Sequence, residues 1–123
     1  MENGNIKIHY QFYKLRRNLK GIVKDGIIEL DSEFGKEIGF TSDKFKASWL
    51  WKKGNRIIIS MIWAKKEREG YFTELIKNIK DKGYEVAIPT PIGLMEILVR
   101  KWGFKRIMEY SEDFKDYVEV WVK

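Results

Sequence analysis

Cysteine is absent from the 123 residues, histidine occurs once and proline twice. Without thiols there are no disulfides, no thiolate metal sites and no cysteine nucleophile. The lone imidazole, His9, leaves no histidine ligand set, so structural zinc is excluded and no metal is expected. Pro89 and Pro91 sit together late in the chain, and with no repeat or low-complexity tract nothing marks a linker. The chain therefore reads as one domain over residues 1–123, with a β-rich part over 1–55 and a second part over 56–123. No apolar run approaches the ~20 residues that a membrane span requires. Met1 leads into Glu2-Asn3-Gly4-Asn5 without a basic and then apolar leader, so a cytoplasmic protein with no membrane partner is expected.

What is present in quantity is charge and aromatic surface. Formal net charge is +6 and 34% of residues are charged, a balance that favours an anionic partner yet also describes an ordinary lysine-rich surface. Nucleic acid is accordingly one candidate partner. Lys14, Arg16, Arg17 and Lys20 form a basic cluster interleaved with Tyr13, Leu15 and Leu19, which reads either as a phosphate contact or as a solvated face. Glu109, Glu112, Asp113 and Asp116 would oppose a nucleic-acid track on their side. Aromatics make up 15% of the chain and include five tryptophans, more than a small core needs. Trp49 and Trp51, two apart on one strand, suit a groove, an edge cover or a homodimer contact. For Trp63 and Trp102 core packing is the simpler reading.

Periodicity divides the chain. Ile6, Ile8, Tyr10 and Phe12 alternate with Lys7, His9 and Gln11 as a half-buried strand, in which His9 faces solvent. Ile22-Val23-Lys24 and Ile27-Ile28-Glu29-Leu30 flank Asp25-Gly26, a hairpin signal, and Gly54-Asn55 offers a second hairpin between Trp49-Leu50-Trp51 and the run Ile57 to Ala64. In 31–46, Gly35 and Gly39 argue against a long helix. Phe72, Leu75, Ile76 and Ile79 recur at helical spacing until Gly83, and Tyr84 to Ile88 reads as a strand. Thr90 then reads as the cap of a helix with Pro91 in its first position, ending at Gly103. Phe104 to Tyr110 and Tyr117 to Val122 complete a hairpin. The order β-α-β-α-β-β predicts a mixed α/β (α+β) fold: a mostly antiparallel, twisted sheet with one parallel pair joined by a helical crossover.

The most informative stretch is the strand, charged turn (Lys65-Lys66-Glu67-Arg68-Glu69-Gly70) and helix start around Gly70. A strand that feeds a glycine turn and a helix N-terminus presents unpaired N–H groups at a positive dipole end, a seat for phosphate. A plain βα corner with a solvated charge run is the competing reading.

Glu67-Arg68-Glu69-Gly70-Tyr71-Phe72-Thr73-Glu74-Leu75-Ile76 resembles the pyrophosphate loop of the GNAT superfamily of N-acetyltransferases, written Q/R-x-x-G-x-G/A. Met95 to Phe104 is similar to the family's helix ending in Y-x-K-x-G-F. The resemblance covers 56–122 and implies a GNAT-like acyl-CoA N-acyltransferase fold, with acetyl-CoA as co-substrate and an amine as acceptor. It places the cofactor along Ile62, Trp63 and Ala64, whose strand would pair with pantetheine, and at Arg68, Glu69, Gly70, Tyr71, Phe72 and Thr73. Thr90 and Glu96 are the positions it leaves for catalysis, with Glu85 behind them. Glu67 and Phe72 depart from the loop pattern, and Val99 stands where many members carry a tyrosine acid. Three readings follow: an acetyltransferase, a GNAT-fold binding module without activity, and a small nucleic-acid-binding or DNA-modifying protein of the phage-encoded kind.

Overall fold

The computed structural model describes residues 23–123. The strand 6–12, His9 and the basic cluster 14–20 lie outside the described residues.

Among the described residues six strands form one sheet in the order β1-β2-β3-β4-β6-β5. The strands are β1 (Gly26–Glu29), β2 (Trp49–Lys53), β3 (Arg56–Met61), β4 (Glu85–Pro89), β5 (Lys105–Ser111) and β6 (Asp116–Val122), and the helices are α1 (Glu33–Ile38), α2 (Tyr71–Asp81) and α3 (Leu94–Lys101). Only β3 and β4 run parallel, joined by α2 as crossover; the other four pairings are antiparallel. The expected mixed, mostly antiparallel sheet and the β-α-β-α-β-β order are both observed.

Local chemistry sets the boundaries. Gly54, at φ 60°, turns β2 into β3 and brings Lys53 opposite Arg56. The Asp25 carboxylate accepts the Gly54 N–H at 3.0 Å and the Lys52 ammonium at 3.2 Å. Asp25-Gly26 is thus not the corner of its own hairpin, as its sequence suggests: the carboxylate clamps the start of β1 onto the β2–β3 turn, and Val23 and Lys24 join no strand. In the segment 31–46 a six-residue helix forms, capped by Ser32, whose hydroxyl accepts the Gly35 N–H at 3.1 Å. Gly83 stops α2, donating its N–H to the Lys80 carbonyl at 2.9 Å.

Helix α3 starts later than expected. Thr90 N–H donates to the Glu119 carbonyl at 3.0 Å, so the chain is still paired with β6 at residue 90 and cannot begin a helix there. Gly93 is the residue before α3, and Thr90 is not a helix cap. Likewise β3 ends at Met61 rather than running on to Ala64.

One sheet face carries Ile28, Leu50, Ile57, Ile59, Val86, Ile88 and Trp121, packed against Leu75, Ile76, Ile79 and Val99 of the helices. Burying each such side chain stabilises by roughly 1.5–3 kcal/mol. All three helices lie on this face: Asn78 Nδ2 donates to the Ile38 carbonyl at 2.9 Å, and the Phe72 and Trp102 rings meet at 4.9 Å. On the opposite face Arg56 donates to Glu85 at 2.6 Å and, through both terminal nitrogens, to Glu109 at 2.8 and 2.7 Å. β4 and β6 intervene between the strands that carry Arg56 and Glu109, so this contact requires a strongly twisted and coiled sheet. The Arg56 guanidinium holds the Glu109 carboxyl below its ordinary range, and Glu109 in turn raises the Arg56 pKa.

Candidate functional site

The parallel ladder between β3 and β4 is short. Arg56 pairs with Glu85, Ile57 with Val86 and Ile58 with Ala87, and the pairing then stops although both strands continue. Continued in this register, the next donor from β4 would be residue 89, aimed at the Ile59 carbonyl. That residue is Pro89, which has no N–H. Beyond it the two strands keep only their outer partners, β2 and β6, which leaves a gap in the pairing between their C-terminal ends.

The chain after β3 is held along one side of that gap. A bulge at Trp49/Leu50 pairs Leu50 with Ile59 and Trp49 with Met61, leaving Ser60 as the extra residue. The inside–outside alternation shifts as a result: Ile62 and Ala64 pack against the core while Met61 and Trp63 stay exposed. Ser48, 7% exposed, fixes this geometry. Its Oγ accepts the Trp63 N–H at 2.8 Å and donates to the Lys46 carbonyl at 2.8 Å, while the Lys46 N–H donates to the Trp63 carbonyl at 2.9 Å. Both Trp63 backbone groups are therefore committed. In extended chain the flanking residues direct theirs the other way, so Ile62 and Ala64 present N–H and C=O toward the gap. Trp63 departs from both of its expected roles. Its N–H is taken, and its ring is 58% exposed, outside the core, with the Lys46 ammonium 5.1 Å from the ring centre.

At the same end of the sheet the turn 65–70 leads into α2. Gly70 precedes the helix at φ 76° and no side chain caps it, so the N–H groups of Tyr71, Phe72 and Thr73 keep no partner among the described residues. Arg68 also has positive φ, 64°, a conformation that costs a non-glycine residue about 1 kcal/mol. A Cβ on Gly70 would meet nothing within 4 Å, so the main chain there is open to close approach. Lys65, Lys66, Glu67, Arg68 and Glu69 are all exposed, and the two carboxylates offset most of the positive charge. Phe72 does not project over the turn, because its ring is stacked on Trp102. Tyr71 packs edge-on against Phe45 at 6.3 Å. The structure thus brings Ile62, Ala64 and the Gly70–Thr73 backbone to one end of the sheet.

No protein-family model matches the chain, and no curated protein does. Among solved structures, a crystal structure from Agrobacterium tumefaciens, provisionally described as an acetyltransferase, matches all of this chain and 93% of its own at 10% identity, with a TM-score of 0.45. A likeness that loose assigns no reaction and no residue.

The expected catalytic positions are occupied otherwise. The Thr90 hydroxyl donates to the Glu119 carbonyl at 3.4 Å. Glu96 is exposed on α3 and paired with Arg100 at 3.6 Å. Glu85 lies at the opposite end of β4 from the gap, bound to Arg56. Val99 is fully buried. A shallow groove of about 340 Å³ between α2 and Trp102 contains Lys77, Lys80 and Lys123. These lysines are engaged with Asp81, the Lys123 carbonyl and the Trp102 carbonyl at 2.7–2.9 Å, so the groove is a poorer anion seat than the Gly70 turn.

Sequence reasoning missed Ser48 and the role of Pro89. A proline ending an interior parallel strand was a usable signal. Nothing flagged Ser48, whose part depends on the bulge beside it.

Proposed function

We propose that the chain binds acetyl-CoA in the gap between β3 and β4 and transfers the acetyl group to an amine. The observation that carries this reading is the gap itself: a parallel ladder cut short by Pro89, with the Ile62 and Ala64 backbone groups open beside it and an uncapped helix N-terminus at Gly70 at the same end. An extended acyl-pantetheine chain pairs with such a strand edge as an added strand would, and the pyrophosphate suits the N–H groups of Tyr71 to Thr73. In the reaction the neutral amine nitrogen forms a bond to the thioester carbonyl carbon. A backbone N–H at Ile62 or Ala64 stabilises the oxyanion. Collapse breaks the carbon–sulfur bond, releasing CoA thiolate, and the proton lost by the amine passes to water.

A second reading, a CoA-binding module without turnover, is favoured by Val99, Thr90 and Glu96, none of which places a free acid or base at the gap. Isothermal titration with acetyl-CoA tests the shared premise: saturable binding supports both readings, and no heat at high micromolar concentration overturns both. Release of CoA with a panel of amines then separates them.

A further inference from the structure

The sheet face turned away from the helices carries an aromatic platform. Trp51 lies directly opposite Ile27 on β1, and Trp49 lies opposite both Glu29 on β1 and Met61 on β3. Trp63 continues the surface two residues beyond Met61. Exposures of 54% for Ile27, 39% for Trp49, 41% for Trp51, 44% for Met61 and 58% for Trp63 show that no described residue covers it. Its apolar area is on the order of 500 Å², near the upper end for a monomer's largest patch.

At the β1 side of this surface the Glu29 carboxylate stands exposed beside Trp49, with no ion pair or side-chain hydrogen bond among the described residues. Indole faces with a carboxylate at their edge recognise organic ammonium ions, by cation–π attraction and by ion pairing. The chain already uses the same contact internally, with the Lys46 ammonium over Trp63. Lys53, two residues from Trp51 on the same face, sets the boundary of the acidic end.

Geometry then restricts the ligand. Glu29, Trp49 and Met61 form one row across three strands, and two strand spacings place Glu29 about 10 Å from the edge of the gap. An ammonium anchored at Glu29 is too far away to be the attacking nitrogen. We propose that the acceptor is an aliphatic diamine: one ammonium is held at Glu29 and Trp49, the alkyl chain lies along Trp49 and Met61, and the second nitrogen, neutral, reaches the gap and attacks the thioester. The assignment as acceptor rests on the acetyl-transfer reading; the diamine site itself does not.

The test uses 1,8-diaminooctane, with 1-octanol as neutral control, followed through the indole N–H resonances of the full chain without CoA. Saturable shifts at the Trp49 and Trp51 indoles with the diamine and none with octanol are expected. Glu29→Gln should weaken diamine binding about tenfold, and Trp49→Leu should abolish it. Both substitutions are at exposed positions, so unchanged melting verifies the fold. Equal binding of octanol, indifference to Glu29→Gln, or shifts confined to other residues overturns the proposal. If diamine shifts appear but acetyl-CoA does not bind, the transfer reading fails and the amine site stands. If acetyl-CoA binds and these shifts are absent, the amine site fails alone.

Discussion

Gly70 and Ser48 each act through the main chain. Gly70 holds φ at 76°, and because a Cβ there meets nothing, the cost of Gly70→Ala is conformational. That cost is about 1 kcal/mol, measurable by urea denaturation; acetyl-CoA affinity should fall with it as the turn relaxes. Unchanged affinity would detach the turn from the ligand. Ser48 is the more sensitive position, because its hydroxyl both satisfies the Trp63 N–H and donates to Lys46. Ser48→Ala leaves a donor unsatisfied and is expected to cost about 1–3 kcal/mol. It should also loosen 62–64, read as faster amide exchange at Ile62 and Ala64 than the global loss of stability explains.

Between elements the decisive relation is β3 to β4. Pro89→Ala restores the N–H that the ladder lacks, so one more bond to the Ile59 carbonyl should form. Stability is expected to rise by about 0.5–1.5 kcal/mol while acetyl-CoA affinity drops, a pair of opposite changes that denaturation and titration resolve. The elements themselves were largely legible: the Ile57 strand, the amphipathic α2 with its Gly83 stop and the C-terminal hairpin all announce themselves by local periodicity and turn residues. What was not legible is non-local. Asp25-Gly26 has the residues of a hairpin corner, yet Asp25 is captured by a turn nearly thirty residues away, at Gly54. Thr90-Pro91 has the residues of a helix start, but pairing with β6 holds Thr90 in the sheet. Trp63 is outside the core because the bulge at Ser60, set by the pairing of β3 with β2, shifts the alternation. The site divides the same way, since Gly70 is a local signal, whereas Ser48 matters only once β2 and β3 are paired. Across the sheet, Arg56 ties β3 to β5 through Glu109. Glu109 has its folded pKa held down by Arg56, so its stabilising contribution is complete above the ordinary value of 4.5 and is lost as pH falls through the lower folded value. Glu109→Gln should therefore destabilise the protein at neutral pH and flatten that part of the acid unfolding profile.

For the molecule as a whole, the net charge is unevenly distributed. Residues 1–22 hold five of the lysines and arginines and one acidic residue, so residues 23–123 carry a net +2 out of +6. Most of the charge behind the nucleic-acid reading therefore lies outside the described residues, while the gap, the Gly70 turn and the aromatic platform all belong to 23–123. No helix among the described residues is long and apolar enough to cross a membrane. The central claim is that the open edge after β3 and the uncapped start of α2 form one seat for acetyl-CoA. Amide chemical-shift mapping of the full chain during titration with CoA tests it most directly. Saturable shifts are expected at Ile62, Ala64 and Gly70 to Thr73, with Trp63, whose N–H is held by Ser48, moving least within 62–64. No saturable shift, or shifts gathered instead around Lys77, Lys80 and Lys123, would contradict it.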